Sequence, residues 1–313
     1  MISANDTIIQ WLLSGDVSIQ CQVSRDLLHV NKQSILHLQR RVETEGWGAR
    51  FLAKQKGDGH WGITFYQPKW TSTHYTLLDL KIIGLPADNG QAKKSVSMVV
   101  DQPQGQHGGV NLAGSLANSD VCVNGMILSY SSYFLPDHTR LRLIVDYLLD
   151  SQMSDGGWNC RYLTPGTTHS SLHSTLSVLE GLLQFRKSRN KYRMAEVLNA
   201  EKEALEFLLV HNLYQSHKTG KTIDERMLRF SFPCRWRYDI LRCLDYFQAA
   251  DVAYDPRMQR ALEIVRSKQK NDGKWLVQEK HKGAVHFDME KTGSPSRWNT
   301  LRCLRVLDHF KMK

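Results

Sequence analysis

The sequence predicts an all-α protein of about six helical hairpins, set as an inner and an outer ring of helices. Three observations carry this. A seven-residue motif, Gln-x-x-Asp-Gly-x-Trp, occurs at residues 55–61, 152–158 and 269–275. An amphipathic segment leads into each copy, and a more apolar segment follows it. The array shows no polar capping repeat, which favours closure into a ring over an open solenoid.

The elements follow in order. Residues 16–30 (DVSIQCQVSRDLLHV) read as an inner helix without a motif. Residues 42–55 read as an outer helix ending in the first motif, and 72–85 (STHYTLLDLKIIGL) as the inner helix after it. The motif tryptophans lie 97 and 117 residues apart, about twice a unit near 50, so worn copies belong at the midpoints. Residues 104–110 (QGQHGGV) keep a glycine pair, and 213–221 (LYQSHKTGK) keep one glycine. The remaining outer helices are 139–152 and 257–269; the remaining inner ones are 119–134, 170–185, 235–247 and 296–310. Two inner segments share an echo, Pro-x-Arg-Trp followed by Leu-Arg-Cys-Leu, at Pro233 and Pro295. In each motif the glycine allows a chain reversal at positive φ. The Gln and Asp suit exposed backbone ends, and the Trp suits a wedge between one hairpin and the next. The motif therefore reads as a structural staple.

Bulk properties narrow the class. The 313 residues fit one domain, 1–313, and 41% apolar content is enough for a core. No apolar run reaches about 18 residues, so no transmembrane helix is expected. The N-terminal stretch has neither a basic region nor a small-residue cleavage site, so no secretion signal is expected. Six scattered cysteines without a CxxC pair suit a reduced, cytoplasmic protein. The net charge of +10 comes without a dense Lys/Arg tract, zinc-finger spacing or RNP motif, so no nucleic-acid partner is expected.

The motif at 55, 152 and 269, each time followed by a hairpin, resembles the QW motif of terpenoid cyclases and the related repeats of protein prenyltransferase β subunits. The resemblance covers nearly the whole chain. It implies an α/α toroid, a central cavity lined by the N-terminal ends of the inner helices, and an apolar, isoprenoid-like ligand. The prenyltransferase side also implies a protein partner subunit and zinc held by Asp-x-Cys and a later His, matched here by Asp120, Cys122 and His173. Two features depart from it. No Asp-x-Asp-Asp acid string occurs, and no basic cluster precedes Asp120.

The residue chemistry gives candidates and their bland alternatives. Carboxylate, thiolate and imidazole are all zinc ligands, and Asp120 reaches the same ion as Cys122 only from the helix N-cap. The same spacing suits a capping Asp120 and a packed Cys122. His169, four residues before His173, is an alternative ligand or partner. Trp70, Trp236, Tyr238 and Trp298 suit aromatic cavity walls or core packing. Arg235 and Arg297 suit an anionic head group, or ion pairs with neighbouring motifs. His74 and Asp239 are the candidates for acid–base work. Three function classes remain open: an isoprenoid-handling enzyme, zinc-assisted; a non-catalytic ligand-binding or scaffold toroid; and a charge-driven binder.

Overall fold

In the computed structural model, which describes residues 6–114 and 117–311, all three motif copies make the same turn. Gly59, Gly156 and Gly273 have φ of +94°, +87° and +78°, where only glycine sits without strain. Trp61, Trp158 and Trp275 are fully buried. Each indole N–H donates to a carbonyl of the preceding helical turn, Phe51, Leu148 and Val265, at 2.8, 2.6 and 2.7 Å. Each tryptophan backbone N–H donates to a threonine of the next inner helix, Thr73, Thr175 and Thr300, at 3.1, 2.9 and 3.0 Å. The tryptophan thus fastens the outer helix before it to the inner helix after it, within one hairpin. Links between hairpins come from the glutamines. Gln55 and Gln152 bond their own turn glycines and also the carbonyls of Gln91 and Ala200 in the next outer helix. At the first worn copy Asn124 replaces the threonine, accepting from Val110 N–H at 2.7 Å.

The helices run α1 (Thr7–Leu13), α2 (Val17–Asp26), α3 (Lys32–Arg41), α4 (Gly46–Leu52), α5 (Thr73–Ile82), α6 (Gly90–Val100), α7 (Val121–Phe134), α8 (Leu141–Asp150), α9 (Leu172–Lys187), α10 (Met194–Val210), α11 (Ile240–Ala249), α12 (Gln259–Ser267) and α13 (Arg297–His309). Helices α2, α5, α7, α9, α11 and α13 form the inner ring. They carry the most continuous burial, as elements covered on all sides must. Helix α3 is an addition to the period; none of its residues is buried, and Gln39 reaches across to Gly84 O and Tyr133 OH.

The ring closes. Arg305 on α13 pairs with Asp26 on α2 at 2.8 Å, and Arg297 donates to Trp11 O of α1 at 2.9 Å. The tightest inner contact is between α7 and α9, where a Cβ on Gly181 would meet Gly125 O at 2.4 Å. The fold is an α/α toroid, as the repeat predicts. Among the described residues no helix is long and apolar enough to cross a membrane.

Candidate functional site

All six inner helices contribute to one central chamber of about 290 Å³. Its rim is set by the last turns of these helices, with Arg25, Lys81, Tyr133, Lys187 and Ala249. Its floor is Trp298, Leu78 and the residues Phe232, Cys234 and Arg235 of the loop before α11. The resemblance placed the cavity at the N-terminal ends of the inner helices. Here the long loops that precede those helices crowd that end, leaving a pocket of about 70 Å³ beside His173, Trp236, Tyr238 and His281, and the central chamber opens at the other.

The chamber is rich in cations. Arg242 forms a two-pronged pair with Glu180, and Arg302 and Arg305 share Asp245. Burial alone would raise Asp245, but Arg305 and Arg302 outweigh it and hold the carboxyl below its ordinary range. Arg235 pairs with Asp79 at 2.6 Å, both nearly fully buried. Lys81 and Lys187 differ from these arginines. Lys81 Nζ donates to Ser129 Oγ at 2.8 Å and Lys187 Nζ to Ala249 O at 2.7 Å. Neither is ion-paired among the described residues. Burial lowers both amines, Lys81 to about 8; Glu180 partly offsets the cost at Lys81 and Asp26 at Lys187. Lys81 and Lys187 thus bring positive charge without a bonded carboxylate to a confined, poorly screened space, which favours an anion there.

The residues singled out from sequence divide between the two ends. Trp298 lines the chamber, stacked on Phe232 at 4.6 Å. Arg235 reaches the floor, but its charge is committed to Asp79. Arg297 is not at a cavity: it lies over the Trp11 ring and secures the ring closure, because the first turn of α13 faces α1. Trp70 is sealed at the loop end, where its indole donates to Lys282 O at 2.6 Å. Trp236 packs on His173, and Tyr238 is buried with its hydroxyl on Leu213 O. His169 lies in an open groove between α9 and α10 with His211 and His217. His74 is fully buried against Tyr130 OH at 3.2 Å, and burial lowers it to about 3; it does not line the chamber. Asp239 is the N-cap of α11, accepting from Arg242 N at 2.8 Å.

The three residues that the resemblance assigns to zinc point in different directions. Asp120 stands at the N-cap position of α7 without a side-chain capping bond. His173 Nδ1 accepts from Tyr238 N–H at 2.8 Å, which fixes the ring toward the loop before α11. Cys122 faces Cys160 instead. Among the described residues no group of three or more His, Cys, Asp or Glu is placed to hold a metal ion. Asp120, Cys122 and His173 therefore do not converge on one point as a zinc site would require.

Sequence reasoning missed Lys81, Lys187, Arg25, Glu180 and the two Leu-Arg-Cys-Leu arginines, Arg242 and Arg302. The available signal was charge placed inside the most apolar segments, such as the lysine of LLDLKIIGL.

No family model and no curated protein matches the sequence. Solved structures do. A glycosyl hydrolase of family 88 from Bacteroides vulgatus aligns over 94% of this chain and 89% of its own, with 14% identity and a TM-score of 0.52. A polysaccharide lyase aligns over 94% and 88%, with 11% identity and a TM-score of 0.50. A type II terpene cyclase from Scytonema, solved with geranylgeranyl dihydroxybenzoate, aligns over 95% and 88%, with 14% identity and a TM-score of 0.43. At these identities the likeness concerns the fold alone.

Proposed function

We propose that the protein binds a small anionic molecule, a carboxylate or phosphate ester on a partly apolar body, in the central chamber. The observation that carries this is the pair Lys81 and Lys187, two amines facing one confined space without a bonded carboxylate. An anion there would regain the charge pairing that burial denies them. Leu78, Leu183, Phe232 and Trp298 give the chamber an apolar side for the rest of the ligand. An isoprenoid with an anionic head is one such molecule.

A catalytic reading rests on Lys81. An amine with pKa about 8 is partly neutral near pH 7, and it can take a proton from a bound ligand and return it.

Calorimetric titration with farnesyl diphosphate, farnesol, glucuronate and inorganic phosphate tests the proposal. The charged compounds are expected to bind and farnesol to fail. Lys81→Met and Lys187→Met should each weaken binding by roughly tenfold to a hundredfold, the worth of one charge-assisted hydrogen bond. Binding of farnesyl diphosphate alone selects the isoprenoid. No binding of any anion, or binding indifferent to both lysines, refutes the proposal.

A further inference from the structure

Cys122 and Cys160 meet at the loop end of the toroid, opposite the chamber. Cys160 lies two residues after Trp158, which ties the start of the loop to α9 through Thr175 and to α8 through Leu148 O. Its sulfur accepts the backbone N–H of Cys122 at 3.2 Å, one of the donors left free in the first turn of α7. The Cys122 thiol also hydrogen-bonds this sulfur. Ser174, in the first turn of α9, approaches it at 3.4 Å. The Cys122 N–H donates to this sulfur, and the Cys122 thiol and Ser174 hydroxyl lie against it at the positive ends of two inner helices, an arrangement that favours a thiolate. The other four cysteines, Cys21, Cys234, Cys243 and Cys303, are buried, whereas this pair is half-buried. Asp120 opposes the thiolate by its charge and does not donate to it. Access, donors and a second thiol coincide only here among the described cysteines.

We propose that Cys160 and Cys122 form a reactive dithiol, in which Cys160 attacks a hydroperoxide and Cys122 resolves the product to an intramolecular disulfide. In the first step the Cys160 thiolate attacks the outer oxygen of the hydroperoxide. A sulfur–oxygen bond forms, the oxygen–oxygen bond breaks, and the alkoxide or hydroxide that leaves takes up a proton. Sulfur loses two electrons and the hydroperoxide gains them. In the second step the Cys122 sulfur, giving up its proton, attacks Cys160. The disulfide forms and the sulfenic oxygen leaves as water. The two cysteines are already in contact, Cys122 N–H on Cys160 Sγ at 3.2 Å, so the second thiol is at hand when the first is oxidised.

The test treats the intact protein with hydrogen peroxide, blocks free thiols and maps peptides by mass spectrometry. The expected result is a peptide linked through Cys122 and Cys160, undone by dithiothreitol, with the four buried cysteines unmodified. In Cys122→Ser, Cys160 should stop at the sulfenic acid and be trapped by dimedone. In Ser174→Ala, iodoacetamide should alkylate Cys160 about tenfold more slowly, because one thiolate donor is gone. Absence of the linked peptide in wild-type protein, or equal oxidation of all six cysteines, overturns the proposal. The wild-type map decides it even where a variant fails to fold.

Discussion

The two ends of the toroid solve the same problem in opposite ways. At each end the inner helices expose unpaired backbone groups and polar side chains. At the loop end several of these groups find fixed partners: Trp70 on Lys282 O, His281 on Cys234 O, His286 on Thr76, His173 on Tyr238 N–H. Burial keeps these imidazoles neutral, each of His173, His281 and His286 lowered to about 4. At the other end Arg25, Lys81 and Lys187 stand in the last turns of their helices, where the helix dipoles favour cations, and the two amines are left over. The closed end spends its polar groups on stability. The open end keeps charge in reserve for something outside the chain.

This contrast predicts that substitutions at the closed end unfold the protein and those at the open end disarm it. The largest effect is expected from Trp158→Ala, which removes a fully buried indole and its bond to Leu148 O. Denaturant unfolding should show a loss of about 3–5 kcal/mol. A loss below about 1 kcal/mol would mean that the motif does not staple the hairpin.

Asp79→Asn comes next. It leaves Arg235 buried without its charge partner beneath the chamber floor, and breaking such a pair costs about 3–5 kcal/mol. The asparagine can still accept from Arg235, so the measured loss should fall at the lower end of that range. Asp79→Asn together with Arg235→Met, which removes both charges, should recover much of it; a double variant as unstable as the single one would break the assignment.

The third effect concerns binding and should leave stability within about 0.5 kcal/mol. An anion in the chamber prefers Lys81 protonated, and its free amine titrates at about 8. Affinity should therefore hold at pH 7 and fall as pH rises through 8. Lys81→Arg should move the decline to higher pH, since arginine stays charged. Calorimetry across pH 6.5–9.5 reads both curves, and a flat profile in the wild type would remove Lys81 from the site.

What was legible in the sequence was local. The Asp-Gly-x-Trp turn and the helix period act within one hairpin, so three motif copies were enough for the fold. The chamber is the opposite case. Arg25, Lys81 and Lys187 stand alone on three separate inner helices, and only ring closure brings them together. Cys122 offered a partner by spacing to Asp120 and by order to His173. Its actual neighbour, Cys160, was hidden because the loop after Trp158 folds back onto α7, which no periodicity records. Arg235 and Arg297 share an echo in sequence and part company in space, one under the chamber and one at the ring closure.

The smallest effect belongs to His173, and its sign follows from the hydrogen bond. Nδ1 accepts the Tyr238 N–H, so a proton on that nitrogen would set donor against donor. Burial first, then Arg242, lowers the folded-state pKa to about 4 from the usual 6.5. Between those values the unfolded chain binds more protons at this site than the folded one, so its contribution rises with pH there. It is complete above 6.5 and is lost as pH falls toward 4. His173→Asn keeps an acceptor without a titration. Wild type should therefore lose ground to this variant between pH 7 and pH 4.5 in paired unfolding experiments, with an NMR midpoint for His173 near 4. An equal pH dependence in both proteins would place His173 in water, and the closed end would then be open at that point.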